Sequence, residues 1–315
     1  MFRSTNKGGI KLGLDLFFNV QYNCTIRWRH SMKTTFITFF SLKGGVGKTT
    51  TTLNVAFALK ELGKKVLVVD FDPGSSLSMW LGHDSEGQED NTILSYLLHV
   101  YFLLVQKKAD KGLVDFDKRL MKTIFRSDNG MDYISNGQTL MIQLEQLKDL
   151  IQEVPDWKTH FRNMMESFTQ EYDYVLFDTH PVDDLSSNLP LNIADGVVVI
   201  STFDGFIFRA YEDTVFLLNR LKLEGANFQF LGGIINRYRS KSKTTQKVYE
   251  QAQFMIEQGD MILFNDFIPD SEKIFSGPAS WTNVFSSKSK LFKPIQEIYL
   301  NIANELISKT NGGNQ

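Results

Sequence analysis

Apolar residues fall along this chain in two rhythms. One is a set of short runs with few polar interruptions: TTFITFF (34–40), KVLVVDFD (65–72), MDYIS (131–135), YDYVLFD (172–178), DGVVVIST (195–202), FQFLGGIIN (228–236) and MILFNDFIP (261–269). Such runs, rich in β-branched and aromatic residues, predict strands covered on both faces. The other is helical spacing, which predicts helices over 49–63, 139–153, 156–170, about 206–222, 241–257 and 289–309. Gly63 stops the first of these. Strand and helix alternate, so the expected class is α/β, a doubly wound, mostly parallel sheet flanked by helices. The span 83–130 shows neither rhythm cleanly and is expected to add helices and loops at the rim. Within it, ILSYLLHVYFLLV (93–105) is too short to cross a bilayer and reads as a buried helix.

Composition narrows the function. The 315 residues carry a net charge of -2, so binding of nucleic acid through overall charge is excluded, and any basic surface must be local. Cys24 is the one cysteine, which excludes an internal disulfide and a cysteine-held cluster and points to a reducing cytoplasm. Residues 1–31 hold Arg3, Lys7, Lys11, Arg27 and Arg29 against Asp15 alone, with no secretory pattern. Met32 followed by KTTFITFFSLKGG reads as a natural beginning. The organisation expected is therefore a dispensable basic extension over 1–31 and a single domain over 32–315.

The chemistry centres on SLKGGVGKTT (41–50), which lies between the first predicted strand and helix. A glycine-rich turn there aims backbone N–H groups at one point, and the helix start adds its positive end, making an anion site. Lys48 is placed to reach phosphates and Thr49 to put its hydroxyl on Mg²⁺. The usual phosphate-loop pattern needs a glycine where Leu42 stands, and it has no counterpart of Lys43. Asp70 and Asp72 end the second strand with alternate residues facing one side, so both are expected at the phosphate edge. Asp178 ends the apolar run YVLFD, where a carboxylate suits a metal.

KGGVGKTT (43–50), VLVVDFDP (66–73) and YDYVLFDTHP (172–181) together resemble the deviant Walker A family of P-loop ATPases, which includes ParA and Soj partition proteins and MinD. The resemblance runs from about Lys33 to about Ile307. It implies ATP and Mg²⁺ bound by Gly44, Gly45, Val46, Gly47, Lys48, Thr49 and Thr50, with Asp178 as the Walker B carboxylate. It makes Lys43 the signature lysine that reaches across an ATP-sandwich homodimer to the partner's phosphates. It makes Asp72 the carboxylate that positions the attacking water. By the same resemblance Asn236 meets the adenine amino group, and Pro269 and Asp270 lie on the adenine side. Two positions depart from the family pattern: Gly74 stands in place of a glutamine, and His180 in place of a proline.

Among the family's tasks, cluster-bearing reductases need cysteines that are missing here. MinD-like action needs a basic amphipathic tail, whereas the chain closes on the polar SKTNGGNQ. NRYRSKSKTTQK (236–247) carries Arg237, Arg239, Lys241, Lys243 and Lys247 with no acid among them, and SSKSKLFK (286–293) adds three lysines. Clustered cations suffice for binding DNA without reading its sequence. The reading is a slow, partner-stimulated, cytoplasmic ATPase for plasmid or chromosome partition. Its ATP-bound dimer holds the nucleoid DNA, and a ParB-like DNA-binding adaptor triggers hydrolysis. The alternative is a MinD-like or polar-positioning ATPase at a protein or membrane site; a third reading is a regulatory switch without DNA.

Overall fold

The apolar runs become strands because each can bury both of its faces. In a computed structural model, which describes residues 33–83, 123–136, 148, 157–204, 207–239, 241–275 and 283–312, seven strands form one sheet. They are β1 (Thr35–Phe40), β2 (Val66–Phe71), β3 (Ile124–Arg126), β4 (Asp132–Ile134), β5 (Tyr174–Thr179), β6 (Gly196–Thr202) and β7 (Gln229–Asn236). The order is β3-β4-β2-β5-β1-β6-β7, parallel except where β3 pairs antiparallel with β4. The expected α/β class and mostly parallel sheet are found.

Eight α-helices are described: α1 (Lys48–Glu61), α2 (Ser76–Trp80), α3 (Trp157–Phe168), α4 (Leu185–Ile193), α5 (Ile207–Leu223), α6 (Lys243–Gln258), α7 (Glu272–Phe275) and α8 (Lys293–Asn311). A 3₁₀ turn spans Val284–Ser286. Alternate strand residues feed opposite layers. Ile37, Val68 and Leu176 pack with Leu53 and Leu59 of α1 and Tyr299 and Ile302 of α8. Phe36, Leu67 and Val175 pack on the other face with Phe161 of α3 and Leu189 of α4. Hence α1 is buried almost all round, and its hydrophobicity shows little one-sidedness.

Three expectations change. MILFNDFIP is not a strand: it meets the sheet only at two isolated bridges, Gly233 with Leu263 and Tyr238 with Pro269. Between them β7 ends and Arg237 turns left-handed, at φ 53°, which breaks any continuous ladder. β3 lies in the span read as lacking strands. The pattern does not predict α4, because LSSNLPLNI is only 9 residues long and carries Pro190 inside. The expected helices over 139–153 and 93–105, and residues 1–31, lie outside the described residues, save that Lys148 is helical.

Gly232 lets the Ile262 segment close on the sheet edge. Its φ is 118°, and a Cβ there would stand 3.1 Å from the Ile262 carbonyl oxygen. Gly232→Ala is therefore expected to destabilise the protein by about 1–3 kcal/mol. Denaturant titration checks this; an unchanged midpoint would show that the segment closes without needing glycine.

Candidate nucleotide-binding site

The loops that leave β1, β2 and β5 meet at the carboxyl edge of the sheet, where β1 lies between β5 and β6. Chain reversals at such a switch point leave a crevice for a ligand. The loop after β1 fills it. Gly45 and Gly47 have φ of 73° and 86°, and a Cβ at Gly45 would meet nothing within 4 Å, so backbone conformation rather than space demands glycine there. Gly47 is the N-cap of α1 and offers no side-chain hydrogen bond, and no acid stands in the first turn. The first N–H groups of α1 thus meet no capping side chain, as an anion site requires.

Around this loop the structure gathers Lys48, Thr49, Asp178 and Asp72. Lys48 and Thr50 are buried. Thr49 Oγ1 donates to Asp178 Oδ2 at 2.6 Å, and Thr52 Oγ1 lies 3.4 Å from Asp178 Oδ1. Asp178 is fully buried, and burial pushes its pKa up to about 6 against the pull of the Lys48 ammonium and the Thr49 hydroxyl. A carboxylate and a hydroxyl side by side, with Lys48 near, form an oxygen donor set that suits a hard cation shared with phosphates. No group of three or more His, Cys, Asp or Glu residues fit to hold a metal by itself occurs among the described residues.

Asp70 pairs in register with Asp178 on the neighbouring strand. It does not reach the phosphate edge as expected. It is fully buried, and its oxygens accept from Asp72 N (3.0 Å), Ser78 N (2.9 Å) and Ser78 Oγ (2.6 Å). Asp70 thus ties down both ends of the loop that carries Asp72. Burial first, and then the nearby Asp178 charge, raise its pKa to about 7. Asp72 Oδ1 accepts from Gly74 N at 2.8 Å and faces His180 Nδ1 at 3.1 Å. Asn136 donates to the Asp72 carbonyl and accepts from Ser75 Oγ.

Two predicted residues are engaged in other ways. Lys43 forms an ion pair with Asp204 of its own chain, just beyond β6. Asn236 is fully buried; its Nδ2 donates to Val46 O at 2.9 Å and lies 3.2 Å from Thr51 Oγ1, while its Oδ1 accepts from Arg237 N. The amide braces the glycine loop, and the adenine contact stays an expectation. Pro269 and Asp270 sit against the start of the basic run: Asp270 N donates to Tyr238 O, and Arg239 Nε to Asp270 Oδ2 at 2.6 Å. Asp204, Asn136 and Ser78 carry no motif, and nothing local in the sequence marks them.

A left-handed glycine loop opening a helix, with a buried carboxylate on a hydroxyl of that helix, defines a P-loop nucleotide-binding protein. A family model described as an AAA domain matches residues 34–224. The chain belongs to that family and is a ParA/MinD-like P-loop ATPase. The chromosome-partitioning ATPase Soj of Treponema pallidum (strain Nichols) is 28% identical over 247 residues, covering 77% of this chain and 86% of Soj. Cobyrinic acid a,c-diamide synthase of Mycobacterium smegmatis, solved with a bound ATP analog and magnesium, superposes with a TM-score of 0.67 at 18% identity, covering 89% of this chain and 97% of its own. A plasmid partition protein of Borrelia burgdorferi gives 0.63 at 22% identity, covering 88% and 100%. At such identities the solved structures share the fold.

The raised pKa values set a pH dependence. Without nucleotide, a carboxyl raised from 3.8 to about 7 keeps its proton in the folded state where the unfolded chain has lost it. The folded state then binds more protons, so this contribution is complete below the unfolded pKa and is lost as pH rises through about 7. Asp70→Asn is expected to flatten the decline in Tm from about pH 4 to about pH 7. Thermal melts across that range check it; an unchanged slope would reject the assignment.

Proposed function

We propose that this ATPase partitions DNA. ATP with Mg²⁺ binds at Gly44, Gly45, Val46, Gly47, Lys48, Thr49 and Thr50, and two chains close into a homodimer around two nucleotides. The loop N–H groups and Lys48 hold the phosphates, and Thr49 and Asp178 hold Mg²⁺, which neutralises charge on the phosphates. Asp72 orients the attacking water. Lys43 supplies a second cation to the partner's phosphates once it leaves Asp204. Because each site is completed by the other subunit, nucleotide state and dimerisation become one event.

The observation that carries the DNA role is the basic run from β7 into α6. Arg237, Arg239, Lys241, Lys243 and Lys247 lie along its solvent side, and Lys243 opens a helix whose first turn holds no acid. Cations are disfavoured at a helix start, so they contribute little to α6 itself and suit an external anion. Arg239 is partly offset by Asp270. The likeness to Soj and to a plasmid partition protein supports the same reading. A ParB-like adaptor stimulates hydrolysis, and the ATP-bound dimer resides on the nucleoid. No helix among the described residues is long and apolar enough to cross a membrane.

Binding to random-sequence duplex DNA, with no nucleotide, ADP, or ATP plus Mg²⁺, tests this across a salt series. Binding is expected only with ATP, weakening as salt rises. Neutralising Arg237, Arg239 and Lys241 together should weaken it and make the log–log salt slope shallower, by about one unit for each phosphate that is no longer neutralised. Recruitment to anionic vesicles with no DNA binding would favour the positioning alternative instead. Separately, Asp72→Ala is expected to accumulate as an ATP-bound dimer by size-exclusion chromatography with little phosphate release; normal turnover would remove Asp72 from its role.

A further inference from the structure

The two positions that depart from the family pattern, Gly74 and His180, lie 106 residues apart in sequence, yet both meet one atom. Gly74 N donates to Asp72 Oδ1 at 2.8 Å, and His180 Nδ1 lies 3.1 Å from the same oxygen. We propose that His180 is a positioning residue for ATP hydrolysis, one that fixes the Asp72 carboxylate in a single orientation. This rests on the reading of Asp72 as the residue that orients water.

The chemistry sets the direction of the contact. An ionised carboxylate can only accept, so Nδ1 carries the hydrogen and donates it. Two donors on Oδ1 fix the plane of the carboxylate. No donor among the described residues reaches Oδ2, which is left to accept from water. Both groups are partly withdrawn from solvent, with His180 32% and Asp72 15% exposed, so water competes weakly for the contact. A proline at 180 would offer no side-chain donor at all.

The backbone around His180 is held for the task. Its carbonyl accepts from Ser187 Oγ at 2.7 Å, in the first turn of α4, and that turn is capped by the Asp184 side chain. Pro181 restricts the conformation of His180 from the other side. Gly74 complements it: a Cβ there would crowd Asp72 Oδ1 at 3.2 Å, so the small residue keeps room for the imidazole contact. The second departure in the sequence thereby acquires a physical reason from the first.

The test uses the full chain and compares His180→Ala and His180→Asn, each alone and with Asp72→Ala, in single-turnover ATP hydrolysis and in binding of a fluorescent ATP analogue. His180→Ala is expected to lower the hydrolysis rate about 10-fold, as expected for removing one hydrogen bond to a charged group, with nucleotide affinity within about twofold. His180→Asn, which keeps an N–H donor near the Nδ1 position, should recover most of the rate. On the Asp72→Ala background, His180→Ala should add nothing to the residual rate. An unchanged rate in His180→Ala, an equal reduction on both backgrounds, no recovery with asparagine, or a parallel fall in nucleotide affinity would each overturn the proposal. Parental turnover in Asp72→Ala alone would instead overturn the role of Asp72, and the positioning role with it.

Discussion

Asp178 is a carboxylate without access to water, and the architecture of the site follows from how that group is accommodated. Burial alone would keep it protonated. Lys48 and the hydroxyls of Thr49 and Thr52 pull the other way, and all three come from the first turns of α1. The strand that ends in Asp178 and the helix that starts at the glycine loop are thereby drawn together. Asp70, one strand over, cannot share that solution. It turns its oxygens to Ser78 and to the Asp72 amide, which converts a second buried carboxyl into the anchor of the neighbouring loop.

The loop itself is held from three sides. Asn236 supports it from the end of β7, Pro181 borders Gly44, and Lys43 is tied to Asp204 beyond β6. Asn236 also accepts the Arg237 amide, so the residue under the nucleotide loop is bonded to the first residue of the basic run. Arg237 then turns left-handed and directs the chain away from the sheet. The nucleotide loop and the basic surface are adjacent along one strand end. Asn236 is the residue that joins them, through a hydrogen bond to each.

The Lys43–Asp204 pair bears on the proposed dimer. A lysine committed to its own chain cannot contribute to a neighbour's site. Both groups are more than a third exposed, so the pair contributes little to stability and exchanges readily for a stronger anion. In the homodimer proposed above, polyphosphate held by a partner chain is such an anion, and the exchange costs the monomer little.

Much of the fold was legible because strand and helix periodicity are local properties of the chain. β1, α1, β2, β5, β6, β7, α5, α6 and α8 lie within a few residues of where the pattern places them. The glycine loop was equally legible, since left-handed turns, a helix start and Lys48–Thr49 depend on neighbours in sequence. Local patterns could not show that MILFNDFIP leaves the sheet, because its pairing depends on where β7 stops. Nor could they show that Asn136 holds the Asp72 loop from 64 residues away, or that Gly74 and His180 share one carboxylate oxygen. Those contacts exist because β4 and β5 flank β2 and bring distant strand ends to one edge. Strand order is decided by packing of whole layers, so side chains meeting across it are visible only in the tertiary structure.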